Sequence, residues 1–409
     1  MRHGATPAPL QWRPCSIGLW YLSALPYRRL SAFYLVYFAA LGLFSPYWGA
    51  YLESRGLAHW QIAVIMSLWF GTRAIAPMPW AWLSERYGRN EYWLRAGAAL
   101  TLMSFGLFLL PLGYGGILVV MAVFAAAYNA IMPQFEAMTL AHLGPRRSLY
   151  GRIRVWGSVG FALTVTGAGV LIDQLGYAVL PWVLLPLFLV LFAVAWINHD
   201  PEGMSETARV SLAAVWQRSR DPSVVRLLML ALLMQVAHGP YYVYFAIYLE
   251  HQGFGASWVG AYWAVGLALE IGIFLIMPQI LARFDARWLL AACALAGALR
   301  WAVVTWLPTQ IPLMLLAQAA HALTFGVFHA TTMQILSGHF PGRLGGHGQG
   351  LLYGISSGFG GVIGALAAGA AWRYLGPSAA FLMAMVVSLL AIALCPWIRP
   401  AADPHPASH

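Results

Sequence analysis

Twelve runs of mostly apolar residues, each about as long as a bilayer core is thick, follow one another along this chain. A hydrocarbon core about 30 Å thick takes about 20 residues of helix. The runs at 30–52, 60–83, 93–112, 115–142, 151–174, 177–197, 223–249, 258–282, 288–307, 309–337, 347–372 and 377–398 meet that length. Lipid offers no partners to a backbone, so such segments span it as helices that satisfy their own N–H and C=O groups. Composition agrees: of 409 residues, 9% are charged, against about 25% in a soluble domain. Too few charges remain to coat a water-exposed surface, and a chain with 14% aromatics is too apolar to stay disordered. The predicted class is an all-α polytopic membrane protein of twelve transmembrane helices.

The longest polar stretch, His199 to Pro222, holds Asp200, Glu202, Glu206, Arg209, Arg218, Arg220 and Asp221 and divides the chain into near-equal halves. The halves repeat. Tyr51-Leu52-Glu53-Ser54-Arg55-Gly56 returns as Tyr248-Leu249-Glu250-His251-Gln252-Gly253, 197 residues on, and Leu175-Gly176 returns as Leu375-Gly376 at a shift of 200. Gly160 with Gly360 and Gly169 with Gly369 keep that second shift. Parallel repeats of six spans are the arrangement of major facilitator transporters. The expected organisation is a cytoplasmic arm (1–29), a six-helix bundle (30–197), a cytoplasmic loop (198–222), a second bundle (223–398) and a tail (399–409).

All 23 basic residues are arginine. Cytoplasmic loops collect arginine, and eighteen fall on one side of the predicted topology, with Arg55 and Arg373 on the other. Both termini are therefore expected in the cytoplasm, and the protein in a bacterial inner membrane. Ser16–Pro26 is too short and too poorly bounded for a cleaved leader. The arginines track apolar runs rather than clustering on one wet face, which argues against a nucleic-acid partner. Cys15, Cys293 and Cys395 have no metal spacing, no phosphate-cradling loop is present, and no metal or cofactor is expected.

A charge at mid-bilayer costs at least ~2.5–3.5 kcal/mol, so each is a functional candidate. With Arg95, Arg152, Asp173 and Arg226 set aside as span-end charges, the spans contain Arg73, Glu136, Arg154, Glu270 and Arg300, besides the titratable His238, His321 and His329. Glu136 and Arg154 flank one hairpin, where they are either an interfacial pair reaching for water or a polar pair facing a central cavity. Arg73 and Glu270 occupy equivalent places, 197 apart. Glu270, Arg300 and His321, from three spans of the second half, are expected to cluster, either to lock helices together or to handle a proton. Gly239-Pro240, after His238, should kink or interrupt span seven, with Tyr241 and Tyr242 as core packing or as the wall of a substrate cavity.

Residues 81–90, Ala-Trp-Leu-Ser-Glu-Arg-Tyr-Gly-Arg-Asn, resemble the loop 2–3 signature of the major facilitator superfamily, with Glu85, Arg86, Gly88 and Arg89 in its conformational-gate positions. A narrower resemblance, over nearly the whole chain, is to the 3-phenylpropionate permease group, relatives of lactose permease. It is carried by Gly151-Arg152-Ile153-Arg154-Val155-Trp156-Gly157, Ala237-His238, Tyr241-Tyr242, Glu270, Arg300-Trp301 and His321-x-x-Thr324-Phe325. It implies that Glu136 and Arg154 match the sugar-binding pair of lactose permease, and that Glu270, Arg300 and His321 match part of its coupling site. Thr324 stands where lactose permease has its proton-carrying carboxylate, Phe161 replaces its aromatic sugar platform, and His238 with Gln318 replaces an ion pair.

The expectation is a monomeric proton symporter, not an enzyme, importing a small aromatic carboxylate. Arg154 or Arg73 would meet the carboxylate, with Phe161, His238, Tyr241 and Tyr242 around the substrate. Glu270 would carry the proton beside Arg300 and His321, with Glu136 second. A sugar or nucleoside permease is the alternative. A membrane enzyme built on His339 and His347, or a non-transporting receptor, is more distant.

Overall fold

The computed structural model describes residues 25–201 and 212–399. Most of the arm (1–24, with Cys15), Glu202, Glu206, Arg209 and the tail from 400 lie outside the described residues. Among the described residues there are twelve long apolar helices: α1 (Tyr27–Ser54), α2 (His59–Tyr87), α3 (Asn90–Leu109), α4 (Tyr114–Leu143), α5 (Arg147–Leu175), α6 (Tyr177–Ile197), α7 (Pro222–His251), α8 (Ala256–Leu275), α9 (Ala286–Trp306), α10 (Ile311–His339), α11 (Gly345–Leu375) and α12 (Pro377–Trp397). No strand occurs among the described residues. The polar stretch between the halves also contains a short helix, Leu212–Ser219, whose five apolar residues are far too few to signal a span.

The repeat seen in the sequence is a repeat of contacts. In the first half α1 packs on α5 and α6; in the second, α7 packs on α11 and α12. Gly160 explains the first: a β-carbon there would stand 2.2 Å from the Leu35 carbonyl oxygen, and at Gly360 a β-carbon would stand 2.9 Å from that of Leu232. Small residues let helix backbones close in this way. Arg29 donates to the Ile197 carbonyl at 3.0 Å, and Arg226, its counterpart, to that of Trp397 at 3.1 Å. Each bond ties the start of a six-helix unit to its end, where the last carbonyls of a helix lack intrahelical partners.

Between halves, α2 packs on α11, α5 on α8 and α1 on α7. On the face opposite the termini these helices are stitched together. Tyr47 donates to the Val165 carbonyl (2.6 Å), close to that of Ala256 (3.3 Å), and its counterpart Tyr244 donates to that of His59 (2.7 Å).

Helix α7 continues through Pro240, so of the kink or interruption expected there the interruption does not occur. A proline removes one N–H from the helix ladder, and the helix is held by its neighbour. A β-carbon on Gly239 would lie 2.4 Å from the Gly364 carbonyl carbon of α11, so the Gly-Pro pair serves close approach of that helix. By contrast, α2 is interrupted at Ala76, before Pro77, and α8 ends at Leu275, before the short helix Met277–Arg283. Arg73 and Glu270 thus sit just before corresponding breaks.

Candidate functional site

The centre of the second half is organised by Arg300 on α9, only 1% exposed. Its Nη2 donates to Gln318 Oε1 at 3.0 Å, and Nη1 lies 3.1 Å from His321 Nδ1 and 3.5 Å from both His238 Nε2 and Thr324 Oγ1. Its Cζ is 4.4 Å from the ring centroids of both Tyr241 and Trp301. A guanidinium is acceptor-free, so the histidine nitrogens facing it are unprotonated. His238 then carries its proton on Nδ1, which lies 2.7 Å from the Met234 carbonyl. A neutral His321 carries its proton on Nε2, which lies 3.6 Å from Glu270 Oε2.

Arg300, His321 and Glu270 therefore form a line, with His321 between the two charges. The expected cluster is brought together, but the glutamate and arginine are not paired. Instead, the Glu270 carboxylate faces His321, and among the described residues it has no ion pair with an arginine. Directly after His321, helix α10 takes a π-helical turn over Ala322–Val327, and α11 does the same over Gly354–Gly360. Such wide turns inside helices recur at functional sites; here one accompanies the joint presentation of His321 and Thr324 to Arg300.

In the first half, Glu136 and Arg154 do not form the expected pair. Glu136 accepts the Tyr150 hydroxyl across the α4–α5 turn, while the Arg154 guanidinium lies 3.9 Å from the Phe38 ring centroid and 5.6 Å from that of Tyr34. Arg73 lies over Trp69 (5.4 Å) and Phe70 (5.8 Å). A cation over an aromatic face is attracted by the ring quadrupole while its N–H groups stay free for another acceptor.

The three aromatic side chains expected around a substrate converge on Trp263 of α8. Tyr241 stacks on it at 4.5 Å, and Phe161 and Tyr242 each lie 5.8 Å away. Tyr242 also reaches Phe70, beside Arg73, at 5.8 Å. Residues from α2, α5, α7 and α8 thus line one aromatic region between the halves.

In the loop between α2 and α3, Gly88 has φ 68° and Arg89 φ 53°. Glu85 and Arg86 are both exposed, and the carboxylate that takes Arg89 is the buried Glu91. Glu91 also accepts the Asp200 amide at 3.1 Å, and the Glu91 amide donates to Asp200 Oδ2 at 3.0 Å. Burial raises the Asp200 carboxyl above its usual range; the amide of Glu91 opposes this and the carboxylate of Glu91 adds to it. His339, which with His347 served the enzymatic reading, lies against the Arg399 carbonyl at 3.1 Å.

Residues 27–383 match the family described as MFS_1 like family. The chain belongs to that family. Its twelve helices and its relatives make it a multi-pass membrane transporter of the major facilitator superfamily, not an enzyme. Among relatives of this family member, a "Probable 3-phenylpropionic acid transporter" of Escherichia coli (strain K12) is 27% identical over 380 residues, covering 91% of this chain and 98% of that protein. A maltose permease of Geobacillus stearothermophilus is 28% identical over 276 residues, covering 66% of this chain and 68% of the permease. Among solved structures, the nucleoside transporter NupG superposes with a TM-score of 0.79 at 13% identity, covering 91% of this chain and 98% of that one. FucP in the outward conformation does so at 0.61 and 15% identity, covering 91% and 98%. At such identities the structures show the fold alone.

Sequence reasoning missed Trp263, Phe38, Tyr150 and Glu91 in this family member. An aromatic residue in an apolar span has no signal that separates cavity wall from core. Glu91 sits next to the signature rather than within it, and only burial marks it out.

Proposed function

We propose that this chain is a proton symporter of a bacterial inner membrane, with cytoplasmic termini, that imports a small aromatic carboxylate of the phenylpropionate type. One observation carries the reading: Arg73, Arg154 and Arg300, the arginines away from the span ends, rest on neutral groups. Arg73 and Arg154 lie over aromatic rings, and Arg300 is held by Gln318, two histidines and Thr324. Two guanidinium groups that keep donors free beside a cluster of aromatic rings suit an anion with an apolar ring, because bidentate charge-assisted bonds take the carboxylate. The 3-phenylpropionate relative supports the same class.

Coupling follows from competition. Ionised Glu270 and a substrate carboxylate are like charges drawing on the same intramembrane cations, so each opposes the binding of the other. A proton on Glu270 removes the competitor, so substrate and proton bind together. His321, its Nε2–H toward Glu270, is placed to stabilise the ionised state after proton release.

Proteoliposomes offered labelled phenylpropionate-type acids, with and without an imposed pH gradient, test the reading. Wild-type protein should accumulate an acid only with the gradient. Glu270→Gln should lose accumulation but keep substrate exchange, and Arg154→Gln should lose both. Failure to transport any aromatic acid would sink the substrate assignment. Gradient-driven accumulation by Glu270→Gln would sink the coupling assignment. The maltose permease relative makes a sugar the second reading, and labelled disaccharides in the same vesicles decide between them.

A further inference from the structure

The repeated Tyr-Leu-Glu segments close the face opposite the termini, and there they bring three metal-ligating side chains together. Glu53 ends α1 and His59 begins α2, both in the first half; His251 ends α7, in the second. Glu53 Oε1 lies 2.9 Å from His59 Nε2 and 3.4 Å from His251 Nε2, and the three ligand atoms lie within 4.8 Å of one another. We infer that Glu53, His59 and His251 form a site for a divalent transition-metal ion of the Zn²⁺ class, which clasps the two halves on this face.

The chemistry of the donors selects the ion. Two imidazoles and one carboxylate suit zinc and its neighbours, whereas magnesium wants an octahedral shell of oxygens. Open zinc sites take three protein ligands and keep a fourth position for water. With bonds of about 2.0–2.1 Å a tetrahedral site needs ligand atoms about 3.3 Å apart, and the observed separations bracket that value. Solvent can reach the site, since the His251 side chain is 42% exposed.

The ligands are also supported. Trp372 of α11 lies 5.0 Å from the His59 ring and 5.9 Å from the His251 ring, walling both on one side. Tyr244 holds the His59 carbonyl at 2.7 Å and so fixes the start of α2 against α7. The adjacent acid, Glu250, is engaged by Tyr177, which leaves Glu53 as the carboxylate of the site. Among the described residues, no other group of three such side chains has ligand-forming geometry. Because ligands come from both halves, an ion bound here binds the closed face better than the open one. A ligand shifts a two-state equilibrium by its difference in affinity, so saturating zinc should hold this face closed and slow turnover. The inference does not depend on which solute is carried.

Isothermal titration of Zn²⁺ into the full-length protein in nanodiscs tests binding, and spin labels at Ser54 and Gln252 report the gap between halves. The expected result is one site of micromolar affinity, weakened about tenfold or more in each of Glu53→Gln, His59→Asn and His251→Asn, with no response to Mg²⁺. Monodisperse elution of each variant confirms that it is folded. Zinc should also narrow the label distances in wild type and leave those of His251→Asn unchanged. Absence of zinc binding, or three variants that bind like wild type, overturns the site; binding without narrowing overturns the clasp.

Discussion

The carboxylate of Asp173, at the end of α5, accepts the backbone N–H of Ala256 at 2.6 Å and that of Ser257 at 3.1 Å. A residue of the first half therefore caps a helix of the second, placing a negative charge at the positive end of α8. A β-carbon on Gly255 would come within 2.7 Å of the same carboxylate, so the backbone is bare where the two halves meet. The cap exists only while this face is closed, and opening must break it. Loss of a helix cap costs ~0.5–2 kcal/mol, a shift of roughly 2–30-fold in an equilibrium. Asp173→Ala should move the distances between labels at Ser54 and Gln252 toward longer values by that factor in population. Asp173→Asn should move them less. An unchanged distribution would mean that other contacts hold the face shut.

Arg300 is predicted to resist even its closest replacement. Its two Nη atoms serve four different side chains at once, and a lysine ammonium, a point charge, cannot reproduce that fork. Arg300→Lys should leave Gln318 Oε1 or His321 Nδ1 without its partner, at ~1–3 kcal/mol for each buried group left unsatisfied. The expected outcome is a lower thermal midpoint together with a tenfold or greater loss of gradient-driven uptake. A lysine variant with wild-type stability would show that the network is looser than its distances imply.

Much of this was legible in the chain itself, for a physical reason. Lipid allows few solutions, so twelve spans of bilayer length, and the two Tyr-Leu-Glu repeats beside them, lead directly to six plus six helices. Buried charges are costly enough to stand out, so Arg300, Glu270 and His321 could be singled out and expected together. Partner choice was not legible. Glu136 and Arg154 lie on one hairpin, yet each found an aromatic neighbour instead of the other. Glu53 and His251 lie far apart in sequence and meet only because the repeat folds back on itself. Pro240 obeyed its neighbour Gly364 rather than its own helix-breaking tendency.

The glycine pairs give a graded test of the repeat. A methyl group at 160 would stand 2.2 Å from a carbonyl oxygen, one at 360 would stand 2.9 Å from its counterpart, and both obstacles are backbone. Overpacking typically costs ~1–3 kcal/mol, and the tighter position should cost more. Thermal unfolding in detergent should therefore rank the proteins as wild type, Gly360→Ala and Gly160→Ala, in falling order. The reverse order for the two variants would contradict the packing described.

Asp200 should make stability depend on pH in a direction opposite to that of most carboxylates. Its carboxyl is held above the usual range because it is partly buried and lies beside Glu91. The folded protein therefore holds this proton more tightly than the unfolded chain does. The group's contribution to stability is fully present below the ordinary carboxyl range and is lost as pH rises through the raised folded value. Asp200→Asn removes that dependence while its side-chain oxygen still accepts the Glu91 amide, which Asp200 now takes at 3.0 Å. Relative to wild type, the variant should melt higher at neutral pH, and the difference should shrink as the buffer is acidified. Melting curves from pH 4 to pH 8 check this, and a gap that widens on acidification would show that Asp200 is stabilised as the anion by Arg89 and the Glu91 amide.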